Sequence, residues 1–352
     1  MENLNLNDLK VMENKRRVRY GYMWALFCAV FWGIWYLPGT AVWCLNPFDE
    51  MSAAIAATHG ESISLVVVAV LITAFNALTV VIALLLWNVV LGKHKVKELG
   101  RTIMEFKHCS KWFFLGSICG LIAVFGSYLA MGFIGAAFSA VAGLLYPVVG
   151  STVARLWYGE KISKRALAGI LIIVCGGIAI YAGGLVSEIA TGEVQWFGYL
   201  GGLMAALGWG LEGAVAGKGL DLAEPDAAIT IRFIGESMVW WIVVIPVLAL
   251  LGFPMLHYAA LIFDPFVLLV LMFAGITFGF CYVTWYKSFP LIGVGRGQGI
   301  GNLYGLFAVI FVFLFFGTSP GWAIIIGGIL CVAGSFLMFT ESTGDMESLR
   351  GE

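Results

Sequence analysis

Charge is what this sequence has least of: Asp, Glu, Lys and Arg make up 12% of its 352 residues, about half the share of a soluble protein. Hydrophobic residues fill 61%. A fold in water alone cannot bury that much apolar surface, so lipid is part of the solvent. No nucleic-acid partner is expected. Long polar stretches are missing too, which leaves no room for a large soluble domain and argues against a non-transporting membrane scaffold. The seven cysteines (Cys28, Cys44, Cys109, Cys119, Cys175, Cys281, Cys331) contain no C-x-x-C pair. They read as small packing residues, with no metal expected. Gly213-x-x-x-Gly217-Lys218-Gly219 is one residue short of a phosphate loop and has no Ser or Thr after the lysine. The alternating glycines from Gly293 to Gly301 lack the strand-then-helix setting of a dinucleotide site. No enzyme and no cofactor are expected.

What is present is a series of long apolar runs. They fall at 20–44, 63–91, 112–134, 136–157, 166–186, 197–217, 227–251, 262–287, 291–316 and 320–340, each near the ~20 residues that cross a bilayer. The fold class expected is an all-α integral membrane protein of ten transmembrane helices. The first run is too long for a cleavable signal segment. The stretch 46–62 reads as an outer loop or an early start to a tilted second helix. Residues 92–111 read as the longest inner loop.

The charges orient these spans. Lys10, Lys15, Arg16, Arg17 and Arg19 precede the first run, and Lys93, Lys95, Lys97, Arg101, Lys107 and Lys111 separate the second from the third. By the positive-inside rule these segments are cytoplasmic. Ten spans then put both termini inside, with a basic arm at 1–19 and an acidic tail at 341–352. Asp49, Glu50, Glu61, Glu188, Glu193 and Asp264 fall outside.

The chain also matches itself. Sliding it by 158 residues lays Tyr128 on Tyr286, Gly143 on Gly301, Leu145-Tyr146 on Leu303-Tyr304 and Gly176 on Gly334. A shift of 177 lays Trp32-Gly33 on Trp209-Gly210. Five spans per half is odd, so the halves, 20–186 and 197–340, are expected to be inverted repeats. The string Gly132 to Pro147, followed by Tyr158-Gly159-Glu160-Lys161-Ile162-Ser163 and then Gly169 and Gly176-Gly177, resembles the drug/metabolite transporter superfamily of the EamA-like kind. That resemblance implies ten helices around a central cavity with alternating access. Thr318 stands where the second half would repeat Glu160.

Glu212 is the most informative residue. A charge at mid-bilayer costs at least ~2.5–3.5 kcal/mol, so it faces the bundle interior. It either binds a cation or exchanges a proton, or it pairs structurally with Arg232 or Lys218; the first reading is favoured. Arg232 and Glu236, four apart, can satisfy each other on one helix face. Asn76 and Asn302 either hold helices together or line the cavity. Trp32, Trp35, Tyr36, Trp209, Tyr282, Trp285, Tyr286 and Tyr304 lie nearer span centres than interfacial belts require. Rings around an acid suit a quaternary ammonium, at ~2 kcal/mol or more per desolvated cation–π contact.

Three pieces sharpen the resemblance: Ala56-Ala57-Thr58-His59, Trp209-Gly210-Leu211-Glu212, and Trp285-Tyr286 followed by Tyr304. They are similar to the choline permease branch of that superfamily, in the inner membrane of bacteria. The resemblance implies a substrate site of Trp209, Glu212, Tyr286 and Tyr304, with Trp32 and Trp35, and His59 and Asn302 as further candidates. The partners expected are a small cationic substrate and the bilayer, with protons as a candidate coupling ion and a homodimer as a candidate assembly. A proton-coupled exporter of amino acids or similar metabolites is the competing expectation.

Overall fold

The computed structural model describes residues 6–159, 163–191 and 195–339, and among these all regular structure is helical. The Glu160-Lys161 pair, Glu193 and the tail 341–352 lie outside the described residues. In chain order the helices are α1 (Leu6–Ala41), α2 (Phe48–His59), α3 (Glu61–Leu91), α4 (Lys93–Met104), α5 (Lys107–Phe133), α6 (Ala136–Ala142), α7 (Tyr146–Tyr158) and α8 (Lys164–Thr191). The second half follows with α9 (Trp196–Gly219), α10 (Pro225–Met238), α11 (Ile245–Leu250), α12 (Met255–Leu261), α13 (Pro265–Ile292), α14 (Val294–Gly301), α15 (Tyr304–Phe316) and α16 (Trp322–Phe339). Among the described residues nine stretches are long and apolar enough to cross a bilayer, from Met12–Cys44 to Val294–Phe316. A further apolar helix, Trp322–Leu337, is shorter than these. The chain is a multi-pass membrane protein.

Three segments differ from the sequence reading. Residues 6–19, expected as a separate arm, continue without a break into the first span as α1. Most of the stretch 46–62 is neither a loop nor part of the second span: it holds α2, which is turned at Gly60, with φ 88°, into α3 from Glu61 on. Positive φ is where a residue without a Cβ is favoured. The inner loop 92–111 holds α4 and the start of α5. On α4 the exposed Lys93, Lys97 and Arg101 recur every four residues while Thr102 is buried, a one-sided helix at the bundle's end.

The internal repeat is visible in the backbone. Gly135 and Gly293, equivalent under the 158-residue shift, both have positive φ, and so do Gly159 and Gly317. Each half breaks a span at the same place: a 3-10 turn at Gly143–Leu145 separates α6 from α7, and a turn at Asn302–Leu303 separates α14 from α15. Packing obeys the same equivalence: α1 lies along α13 as α9 lies along α5, and α1 meets α15 as α9 meets α7.

Orientation follows from α8 and α16, which occupy equivalent places. Gly176 abuts the carbonyl of Gly327, and Gly334 abuts the carbonyl of Gly169. Residue numbers rise on one helix as they fall on the other, so the two run antiparallel and the halves are inverted. Side chains at those glycines would hold the backbones apart, which is why small residues line this seam. Halfway along it, Cys331 Sγ donates to the carbonyl of Ile173 at 3.5 Å.

Candidate functional site

Trp32 of α1 lies buried at the centre of a ring cluster. Its indole stacks on Tyr304 (centroids 4.2 Å apart, interplanar angle 12°) and meets Trp209 edge-on at 4.6 Å. Tyr146 at 5.6 Å, Trp285 at 5.8 Å and Tyr282 at 6.3 Å complete the surround. All six side chains are fully buried. Two pairs are equivalents under the repeat, Trp32 with Trp209 and Tyr146 with Tyr304, so the cluster straddles the axis that relates the halves. The indole nitrogens of Trp32 and Trp285 have no hydrogen-bond partner among the described residues.

The symmetry breaks beside the cluster. The 177-residue shift that superposes Trp32 on Trp209 places Trp35 opposite Glu212. Trp35 donates its Nε1 to Asn76 Oδ1 at 3.1 Å and stacks on Phe278 at 4.3 Å. Glu212 instead takes four donors: Arg232 Nε at 2.6 Å, Arg232 Nη2 at 3.1 Å, Tyr282 Oη at 3.0 Å and Tyr286 Oη at 3.3 Å. Trp209 Nε1 donates to Tyr282 Oη at 2.9 Å, which links the carboxylate to the rings. Arg232 also bonds Glu236, and its guanidinium lies 3.9 Å from the ring centroid of Phe233 and 4.8 Å from that of Tyr282. None of the three ionisable groups is exposed. Breaking one partner of such a buried set costs about 3–5 kcal/mol, because the other charge is left uncompensated.

The guanidinium occupies space left by α5. A Cβ at Gly120 would fall on it, and one at Gly116 would touch its stem. Elsewhere a flexible arginine end could step aside; here Glu212, Glu236 and Tyr282 hold it. Gly120→Ala is therefore expected to destabilise the fold by about 1–3 kcal/mol, the usual cost of overpacking a filled site. A lowered melting temperature in detergent, against an unchanged one for a glycine-to-alanine change on the open Gly321, checks this; Gly321 has no neighbour in reach.

The structure brings together most of the residues singled out from sequence. Trp32, Trp209, Glu212, Tyr282, Trp285, Tyr286 and Tyr304 form one connected cluster. Tyr36 borders it, stacked on Tyr304 at 6.0 Å and bonded to Ser127 Oγ at 3.2 Å. Trp35 lies one layer out, on Asn76 and Phe278. Asn302 donates to the carbonyl of Leu144 at 2.9 Å and to Ser335 Oγ at 3.0 Å, a helix-to-helix clamp. His59 is not brought to the rings: it is exposed at the end of α2, 4.8 Å from Phe253. Four residues were not singled out: Tyr146, Phe233, Gly120 and Gln298. Gln298 lies buried within the alternating glycines, donates to the carbonyls of Trp209 and Gly210 at 3.3 and 3.4 Å, and takes the Tyr146 hydroxyl on its own carbonyl at 2.5 Å. Tyr146 carried a signal in its equivalence to Tyr304.

A second ion cluster closes one end of the bundle. The buried Asp226 accepts from Lys95 at 2.9 Å and from Trp87 Nε1 at 3.1 Å, and pairs with Lys287 at 3.0 Å, while Glu224 pairs with Lys95. Burial, with Asp226 adding to it, pushes the Glu224 carboxyl above its ordinary range against the pull of Lys95. Lys287 thus joins α13 to α10.

The EamA-like transporter family model matches residues 50–182 and 196–340, both repeats but not α1. Among curated proteins, none matches this chain in sequence. One solved structure, described only as the crystal structure of a protein, shares the fold with a TM-score of 0.59 at 14% identity, covering 94% of this chain and 99% of its own.

Proposed function

The chain belongs to the EamA-like transporter family, and on that premise we propose that it is a permease for a small organic cation, choline or a related quaternary amine, working by alternating access. It resides in the inner membrane of a bacterium with both termini in the cytoplasm. The family comprises membrane transporters of small molecules, not enzymes. One observation carries the substrate: six buried rings gathered at the interface of the inverted halves and joined directly to a carboxylate. A quaternary ammonium has no N–H to donate, so aromatic faces and a nearby negative charge are what can hold it. Uptake follows the membrane potential; in a proton-coupled alternative, Glu212 is the group through which protons would couple.

Proteoliposomes test this with labelled choline, using unlabelled betaine and amino acids as competitors. The expected result is saturable uptake that an inside-negative potential of about 100 mV can drive to about fiftyfold accumulation, since that potential is worth ~2.3 kcal/mol per charge. Choline at about a hundred times its dissociation constant should also stabilise the fold by ~2.7 kcal/mol. The absence of both saturable uptake and choline-induced stabilisation would sink the cation reading. Amino acids competing where choline does not would favour the metabolite exporter, although Arg232, already shared by two acids, is poorly placed to take a substrate carboxylate.

A further inference from the structure

We propose that Arg232 sets the net charge of the ring site and so selects singly charged cations over doubly charged ones. The proposal rests on the cation-permease reading above.

The charge count is local. The core beside the rings holds Glu212, Glu236 and Arg232, all fully buried, with both acids paired to the arginine. Two carboxylates and one guanidinium leave one negative charge when both acids are ionised. Among the described residues the other buried acid is Asp226, which belongs to the cluster at the bundle's end, where Lys95 and Lys287 balance Glu224 and Asp226. That cluster is neutral by itself and lends the core no positive charge.

Arg232 is built into this place. Its Nε and Nη2 engage Glu212, its Nη1 engages Glu236, and its Nη2 reaches Tyr282 Oη at 3.3 Å. Phe233 and Tyr282 cover its faces, and the absence of a side chain at Gly120 makes room for it. A guanidinium so held is a fixed counter-charge. One organic cation at the rings brings the core to neutrality. A dication of the same size leaves one uncompensated positive charge in a dry, low-dielectric interior, where it is strongly disfavoured. Arg232 would thus act as a specificity residue without touching the substrate.

Two probes of equal length isolate charge from shape: 3-hydroxypropyl-trimethylammonium, a monocation, and 3-aminopropyl-trimethylammonium, a dication. Their affinities are read as competition against labelled choline in proteoliposomes and as melting shifts in detergent. The wild type should prefer the monocation by about tenfold or more. Arg232→Gln, assayed at a pH at which both acids are ionised, leaves two unbalanced negative charges and should reverse the preference. Arg232→Gln combined with Glu236→Gln restores a single negative charge and should restore the preference for the monocation. A purely structural role for Arg232 predicts equal losses for both probes, with no reversal and no return. Equal wild-type affinity for the two probes, or a double variant that prefers the dication, overturns the proposal; these two measurements decide it even where the single variant does not fold. A wild type that binds neither probe overturns the cation-permease reading itself.

Discussion

Glu212→Gln is expected to weaken cation binding by about a hundredfold, equivalent to ~2.7 kcal/mol, while leaving a folded protein. The magnitude comes from removing one charge next to the rings: two unit charges 4 Å apart at an effective dielectric near 20 interact by about 4 kcal/mol, part of which the lost solvation offsets. Folding survives because Glu236 still balances Arg232 and because the amide oxygen keeps an acceptor for the guanidinium and for Tyr282. A drop of about 1–3 kcal/mol in stability is expected from the donors that lose a charged partner. Uptake in proteoliposomes and melting with and without choline separate the two effects. Full uptake in the variant would reduce Glu212 to an anchor for Arg232.

The second large effect is expected at Trp32. Its indole touches five other buried rings, so Trp32→Ala empties the centre of the site and should cost about 3–5 kcal/mol, as deletion of a large buried aromatic usually does. Binding should fall with it, since neighbouring rings must collapse into the void. Trp32→Phe separates packing from recognition. It keeps an aromatic face but a weaker one, because indole is the strongest of the three rings for a cation. A variant that melts near the wild type yet binds choline about tenfold more weakly is the expected outcome. Unchanged binding in Trp32→Phe would place the cation elsewhere.

Hydropathy made the spans legible, because ~20 apolar residues in a row have few other uses. The inverted repeat was legible from equivalences such as Gly135 with Gly293 and Tyr146 with Tyr304, which reappear as shared backbone conformations. The short helices α2 and α4 were not, since their residues are polar enough to read as loops and their one-sidedness extends over only three turns. Around the site, most of the rings that converge lay near span centres, although Tyr146 was not singled out among them and Trp35 lies one layer out. The Arg232–Glu236 pair was readable because partners four apart on a helix are neighbours. The Arg232–Glu212 pair joins α9 to α10, 20 residues apart, and local spacing names Arg232 only as one of several candidates. His59 was singled out by a short resemblance alone, and its position beside Phe253 shows how little four residues say about which end of a bundle they occupy.

The pairing of α1 with α13 and of α5 with α9 has a consequence for how the chain is made. Helices enter the membrane in the order of synthesis, yet α1 and α5 find these partners only in the half that is translated later. Until then the small-residue face of α5, from Gly116 to Gly126, faces lipid or the translocation machinery. Arg232 reaches the bilayer after Gly120 has waited for it, and its first acid partner, Glu212, arrives just ahead of it. Assembly of the charged core is therefore a late event that needs both halves, and a chain truncated before α13 lacks Tyr282 and Tyr286 to close it.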